Sequence, residues 1–351
     1  MFGRKSFPLA IDVGSYAIKL VQLVPTKSGL ALERLGMASL SPGAMADGEV
    51  REHEEVMRAL EELVAAEKVR EKRVAVGISG SAAIVRTIQI PRLKGRALEE
   101  AVQIEADQNL PFSVDDALLK RRRLRKVEVD GNMMDEYLLV AVRKSLLDDM
   151  VDLLRHLKFE PRIMDVNLLA MESAFEMSGK ARNKDPTALV DIGASETLVN
   201  ILRGGQTLLT RNIPLGGASV TQAIQDRLGV TRLEAEGIKL GSKTSSSPRA
   251  VAEAIRSEVE RLARELGRTF QMVSKVFPDD KLSRMVLSGG GVHLEGLPAY
   301  LAASLDLPVE IAQPFRKVEV SSDTFDPDYV ENLAPIATVG AGLAYQAVLA
   351  E

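Results

Sequence analysis

The chain has 351 residues, 46% of them hydrophobic and 27% charged, which fits about two globular domains with a sizeable core and argues against disorder. A net charge of −4 speaks against general nucleic-acid binding, and the lack of Cys removes disulfides and thiolate metal sites and suits a reducing cytosol. His53, His156 and His293 are too scattered for a histidine metal centre, no apolar run reaches the ~20 residues that span a bilayer, and no signal peptide is visible, so a cytoplasmic protein is expected.

The opening stretch, Met1 to Phe7, is basic with two Phe and reads as a solvated leader. Leu9, Ala10 and Ile11 then form a buried strand ending at Asp12. Gly14 and Ser15 make a tight turn, and Ile18, Leu20, Val21 and Leu23 resume a strand. Such a hairpin tip offers N–H groups and a hydroxyl to an anion. Asp12 is placed to hold a metal through water, and Lys19 to reach back and neutralise phosphate charge. Alone, an Asp-x-Gly-Ser turn is common for steric reasons.

Gly29 to Ser39 is a further strand, and a Pro-, Gly- and Asp-containing loop covers residues 42–48. Glu52 to Glu67 is an amphipathic helix with Val56, Leu60, Leu63 and Val64 on one face, followed by a buried strand from Arg73 to Ile78 that ends at Ser79-Gly80-Ser81. This is an α/β pattern. From about residue 82 the character changes. A half-buried strand, Ala83 to Ile90, leads to a helix from Lys94 to Asn109 with Leu98, Val102 and Ile104 inward, closed by Pro111. Strands Ala117 to Val129 and Met134 to Val142 follow, joined at Asp130-Gly131. Ser145 is expected to cap a helix reaching Leu157. Residues 82–158 therefore form an inserted subdomain. Its basic run, Lys120 to Lys126, reads either as a guarded edge strand or as a dock for an acidic partner or lipid, with the guarded edge favoured.

After a strand from Phe159 to Val166, a short helix from Leu168 to Glu176 and a polar link from Gly179 to Pro186, the opening motif returns. Thr187 to Leu202 carries an apolar strand, then Asp191, Gly193, Ala194, Ser195 and Thr197, then an alternating strand. Two Asp-x-Gly hairpins half a chain apart imply a duplicated domain, with the turns facing across a cleft. Gly216-Gly217 opens a helix bearing Val220, Ile224 and Leu228, where bare backbone lets a ligand approach. On the helix from Thr231 to Leu240, Glu236 and Lys239 share a face, able to reach a ribose or base or simply to pair. Pro248 to Val276 is a long amphipathic helix. The strand Met285 to Leu287 ends in Ser288 and Gly289, Gly290 and Gly291, a flat surface for a nucleotide. Ala334 to Val348 is a small-residue helix in which Gly340 and Gly342 permit close crossing.

In this order the two hairpins, the Ser-Gly-Gly-Gly strand end and the glycine-bearing last helix resemble the actin-like ATPase superfamily. Within it the chain is similar to the PilM family of type IV pilus assembly, related to the FtsA division proteins. The features pointing there are Met-Phe-Gly-Arg-Lys running into Ile11-Asp12-Val13-Gly14-Ser15, the helix ending Glu105-Ala106-Asp107-Gln108-Asn109-Leu110-Pro111-Phe112, and the inserted subdomain. The resemblance spans essentially the whole chain.

It implies an α/β fold of duplicated actin-like (ribonuclease H-like) domains around a nucleotide cleft. The first domain would comprise residues 1–81, 159–185 and 335–351. The second would comprise 186–212 and 283–334, with a helical subdomain at 213–282. ATP and Mg²⁺ are the implied cofactors. Asp12 and Asp191 would stand near the metal through water, and Gly14, Ser15 and Lys19, with Gly193, Ala194, Ser195 and Thr197, would hold phosphate. Gly216 and Gly217 would line the phosphate side, and Glu236, Lys239, Gly289, Gly290 and Gly291 the adenosine side. Asp165 or Asn167 would position the hydrolytic water, a choice the sequence leaves open. Tight ATP·Mg²⁺ binding with slow or partner-dependent turnover is the expectation.

The implied partner is the cytoplasmic tail of the inner-membrane protein PilN, held between the first domain and the inserted subdomain. Other platform components and motor ATPases are further candidates. Recruitment to the inner face of the inner membrane would be indirect. The alternatives are a sugar- or acetate-type kinase of the same superfamily, which would need another acid or base beside the γ-phosphate, and an FtsA-like filament protein, against which stands the lack of a C-terminal amphipathic helix.

Overall fold

The computed structural model describes residues 6–80, 83–179, 185–277 and 281–351. In chain order the first part holds β1 (Leu9–Val13), β2 (Ala17–Pro25), β3 (Leu30–Ser39), the short β4 (Met45–Ala46) and β5 (Glu49–Val50), α1 (His53–Ala66) and β6 (Arg73–Ile78). There follow β7 (Ala83–Pro91), α2 (Gly95–Asn109), β8 (Ala117–Val129), β9 (Asn132–Arg143), α3 (Lys144–His156), β10 (Glu160–Val166) and α4 (Asn167–Met177). The second half holds β11 (Thr187–Ile192), β12 (Thr197–Arg203), β13 (Gln206–Ile213), α5 (Gly217–Leu228), α6 (Arg232–Lys239) and α7 (Pro248–Val276). It ends with β14 (Arg284–Ser288), α8 (Leu297–Leu305), β15 (Val309–Ile311), β16 (Val318–Glu319), α9 (Pro327–Leu333) and α10 (Thr338–Leu349).

The duplication expected from the two hairpins is present in the sheet order. One sheet runs β10-β6-β1-β2-β3-β16 and the other β13-β12-β11-β14-β15. In each, a three-strand antiparallel meander is followed by two strands parallel to the first. The parallel central strands are buried on both faces, which is why β1, β6 and β11 read as continuous apolar runs. Helices α1 and α3 cover one face of the first sheet. On its other face lies α10, with α4 crossing α10 at Gly342, where a Cβ would sit 1.8 Å from the Ala170 carbonyl oxygen. Helices α7 and α8 cover the second sheet.

The inserted sheet has the order β7-β9-β8, with α2 on the face bearing Ile88, Tyr137 and Leu139, while Val85, Leu138 and Val142 on the opposite face join the core of the first sheet. Its basic edge strand β8 is bound inward. Arg121 pairs with Glu99 at 2.5 Å, Arg122 with Glu172 at 3.0 Å, Arg123 with Asp135 at 2.5 Å and Arg125 with Glu136 at 2.8 Å. Asp135, Glu136 and Glu172 are buried acids, and burying a carboxylate is costly unless a cation satisfies it. The run thus neutralises the interior as well as guarding an edge.

Several local expectations are corrected. Ser145 does not cap α3: the helix starts at Lys144, with Arg143 as its N-cap and no side-chain cap bond. Ile104 faces solvent at 59% exposure, while Val102 and Ala106 form the buried stripe of α2. The last helix, expected from Ala334, begins at Thr338, after a turn over residues 334–337 that follows α9. Phe7 is buried and gives its carbonyl to the Gln22 side chain at 2.7 Å, whereas the first five residues of the expected leader lie outside the described residues. So do Ser81 and residues 180–184 of the polar link. Packing also differs from the expected division of the chain. Leu146, Met150, Leu153 and Leu154 of α3 join the core of the first sheet, as do Phe315, Val318, Phe325 and Val330 from the run expected in the second domain. Among the described residues no single helix is long and apolar enough to cross a membrane.

Candidate functional site

The two hairpin tips meet. Ser15 Oγ at the β1–β2 turn lies 2.6 Å from Ser195 Oγ at the β11–β12 turn. Each turn closes identically, with the Gly14 N–H donating to the Ala17 carbonyl and the Gly193 N–H to the Glu196 carbonyl. Between the tips and the helices of the second half opens a cavity of about 400 Å³, the size of a small-molecule site.

Fifteen of the residues expected at the site line this cavity: Asp12, Gly14, Ser15, Lys19, Asn167, Asp191, Gly193, Ala194, Gly216, Gly217, Glu236, Lys239, Gly289, Gly290 and Gly291. Three do not. Ser195 faces a neighbouring cavity, Thr197 is fully buried with its hydroxyl donating to the Leu215 carbonyl at 2.7 Å, and Asp165 is turned to α10. Its carboxylate accepts from Gln346 Nε2 at 2.7 Å and from the Val166 N–H at 2.8 Å, and burial holds its pKa above the usual range. Asn167, the first residue of α4, is buried, and its Oδ1 lacks a hydrogen-bond partner among the described residues. The geometry thus separates two candidates that the sequence leaves equal.

The acids differ in their surroundings. Asp12, next to last in β1, faces Lys19 across the ladder, so their side chains meet at 3.0 Å. Asp191, next to last in β11, accepts from Ser288 Oγ at 2.7 Å. Burial pushes its carboxyl up to about 6, eased by Ser288 and Lys19 and reinforced by the charges of Asp12 and Glu196. On the opposite wall Lys239 bridges Glu236 at 2.8 Å, Thr221 Oγ1 at 3.0 Å and the Gly217 carbonyl at 3.3 Å, so pairing and cavity lining hold together. A side chain at Gly216 would meet the Gly193 carbonyl oxygen at 2.5 Å; bare backbone there lets α5 dock on the second hairpin through Gly217 N–H to Gly193 O and Ala218 N–H to Ala194 O. Val220, Val259, Leu262, Leu294 and Leu297 supply an apolar floor beside the three glycines.

The contact of Ser288 with Asp191 and the presence of Glu196 in the cavity go beyond the sequence expectations. Ser288 stands opposite Asp191 in the β11–β14 register, a placement invisible until the strands are paired. Glu196 lines this cavity and also a second one of about 800 Å³, which opens between the edge strands β7 and β13.

The family of type IV pilus assembly protein PilM matches residues 10–348. Among solved structures, the PilM-PilN type IV pilus biogenesis complex is similar over 98% of this chain and 99% of that one, at 26% identity and a TM-score of 0.86. The ethanolamine utilization protein EutJ of Carboxydothermus hydrogenoformans shares the fold at 15% identity and a TM-score of 0.57, over 97% and 90% of the two chains. MreB5 of Spiroplasma citri does so at 13% identity and 0.50, over 97% and 95%. The cell division protein FtsA of Bacillus subtilis (strain 168) is 28% identical over 114 residues, 32% of this chain and 24% of that protein, so the match spans about a quarter of FtsA. With an actin-like architecture, two facing hairpins and a family match over nearly its whole length, the chain belongs to the PilM family of type IV pilus assembly proteins.

Proposed function

We propose that this chain is an ATP·Mg²⁺-binding scaffold of the type IV pilus inner-membrane platform, which takes up the cytoplasmic tail of PilN and couples that grip to its nucleotide. The observation that carries the nucleotide reading is the pair of facing hairpins with one acid, Asp191, left without a cation of its own. Bound Mg²⁺ supplies the charge that this pair lacks and screens the phosphates. Two acids with water and phosphate oxygens suit Mg²⁺, which seldom takes an all-protein cage, and no group of three or more candidate ligands is present among the described residues. Lys19 and the N–H groups of both turns hold phosphate, while Glu236, Lys239 and the backbone of Gly289, Gly290 and Gly291 hold the nucleoside side. Asn167, which lines the cavity, is the residue to orient the hydrolytic water, a role for which Asp165 is turned away. With an amide rather than a carboxylate at that place, no general base takes the proton, and turnover is slow or depends on the partner.

Support for the partner comes from the similar PilM-PilN complex and from the second cavity, where Met45, Asp47, Gly48 and Gly80 of the first domain face β7 of the inserted subdomain, the side expected for the tail; β13 closes the cavity's other side, with Thr210 Oγ1 donating to the Val85 carbonyl at 2.6 Å. Membrane association through such a tail places the chain peripherally at the inner face of the inner membrane. Family membership favours this scaffold over a small-molecule kinase.

The test is calorimetric titration of the protein with a peptide copying the PilN tail, run with ATP·Mg²⁺, with ADP·Mg²⁺ and without nucleotide. Affinity that differs between ATP and ADP makes the nucleotide a switch. Equal affinity in both makes it a structural clamp, and no binding in any state overturns the scaffold reading.

A further inference from the structure

Glu196 sits at the tip of the second hairpin, and its carboxylate crosses to the other half of the molecule. Oε1 accepts from the Gly80 N–H at 3.3 Å, and Oε2 from Asn212 Nδ2 at 2.5 Å. The side chain is largely buried, and its pKa is raised chiefly by that burial, with the Asn212, Gly80 and Ser79 bonds opposing. One carboxylate therefore ties together a loop of the nucleotide cavity, the turn after β6 and the edge strand β13.

The turn it holds has no slack. Gly80 is at φ +92°, and a Cβ there would lie 2.1 Å from the Asp47 carbonyl oxygen. Gly48, at φ +80°, would place its Cβ 2.1 Å from the Ser79 carbonyl oxygen. Two backbones in such contact move together, because close-packed groups transmit displacement rather than absorb it. Asp47 and Gly48 line the 800 Å³ groove, Gly80 lies on its wall, and the chain from Gly80 enters the groove again at β7. On the far side, Glu196 accepts the Gly193 N–H through its own carbonyl, so a ligand that reorders the Gly193–Ser195 turn moves the root of the Glu196 side chain.

We propose that Glu196 is the positioning residue through which occupancy of the nucleotide cavity changes the shape of the groove between β7 and β13. The proposal rests on the nucleotide reading above and adds the route by which the two sites sense each other. Coupling of this kind is reciprocal, so a peptide in the groove tunes nucleotide affinity by the same factor.

Hydrogen exchange of the full-length protein with and without saturating ATP·Mg²⁺ tests the route without needing the peptide. In the parent protein, nucleotide should slow exchange at the two hairpins, residues 12–19 and 191–197. At residues 45–48 and 83–87 it should change exchange by roughly fivefold or more, the lower end of ordinary coupling. In Asn212→Ala, which alters the groove side of the contact, the hairpin response should persist and the groove response should fall below about twofold; in Glu196→Gln, whose lost charge also bears on Asp191, the groove response should fall relative to that of the hairpins. A groove response unchanged in both variants, or absent from the parent while the hairpins respond, overturns the proposal. Hairpins that do not respond to nucleotide at all overturn the nucleotide reading, and the proposed coupling with it.

Discussion

The two hairpins close with the same backbone hydrogen bond and differ at the ladder position that faces their acids. In the β1–β2 pair, Asp12 faces Lys19 seven residues on; in the β11–β12 pair, Asp191 faces Leu198 at the same spacing. The same ladder position thus holds a cation in one copy and an apolar side chain in the other. Asp12 is compensated inside the protein at 3.0 Å, whereas Asp191 has a Ser288 hydroxyl and a carboxyl raised to about 6. The lesson is a division of labour after duplication. On the proposed reading, the first hairpin would bring its own positive charge to phosphate, and the second would keep an acid whose charge a ligand completes. A symmetric pair would either repel phosphate with two bare acids or, with two lysines, leave Mg²⁺ no place.

The largest effect should come from removing either acid. Asp12→Ala and Asp191→Ala should each cost about 2–4 kcal/mol of ATP·Mg²⁺ affinity, roughly 30- to 1,000-fold in Kd, read by calorimetry with Mg²⁺ and with EDTA. Unchanged affinity in both variants would break the cleft assignment.

Without nucleotide the two acids should part company. Asp12→Asn strands the Lys19 ammonium and should destabilise the free protein by about 2–4 kcal/mol. Asp191→Asn removes an uncompensated charge and should stabilise it at pH 8 by up to about 3 kcal/mol, less as far as the open cavity lets water screen the carboxylate. The pH dependence follows with its sign. A carboxyl whose pKa rises from 3.8 to about 6 on folding holds its proton more tightly in the native state. Between those values the native chain binds more protons than the unfolded one, so stability falls as pH rises from 4 through 6 and levels off above 7. Urea unfolding at pH 5 and pH 8 should show this loss in the parent protein and a smaller one in Asp191→Asn. The same slope in both would mean that Asp191 is not the group left waiting for a cation.

The contrast was legible in the sequence, since Lys19 and Leu198 stand at matching offsets, but it has meaning only once the register makes them partners of the acids. The sheets themselves were readable because parallel core strands are apolar throughout and β-hairpin turns carry Asp and Gly. What escaped was long-range. Ser288 reaches Asp191 across 97 residues, Glu196 reaches Gly80 across 116, and Gln346 draws Asp165 away from the cavity across 181. No local period encodes such contacts. Ser145 misled because an N-cap preference describes a helix starting from a loop, whereas α3 continues directly from β9 with Arg143 in extended backbone. The paired arginines of β8 escaped for the reason that hid Glu196: their acids lie on α2, α4 and β9.

The smallest effect tests whether the tips hold each other directly. Ser15 Oγ and Ser195 Oγ, 2.6 Å apart, form a hydrogen bond between the two halves at the place proposed for phosphate. It is exposed, so water replaces it at little cost, and Ser15→Ala should lower the stability of the free protein by about 0.5–1 kcal/mol. Ser15 lines both the cavity and the groove, whereas Ser195 lines the groove but not the cavity, so their substitutions are not equivalent. If phosphate takes the Ser15 hydroxyl as a donor, Ser15→Ala should weaken ATP·Mg²⁺ by about 1.5–3 kcal/mol, the range for a hydrogen bond to a charged group. Ser195→Ala should leave that affinity within about 1 kcal/mol. Equal losses from both would show the two tips gripping phosphate symmetrically, and the division of labour would then be confined to the acids.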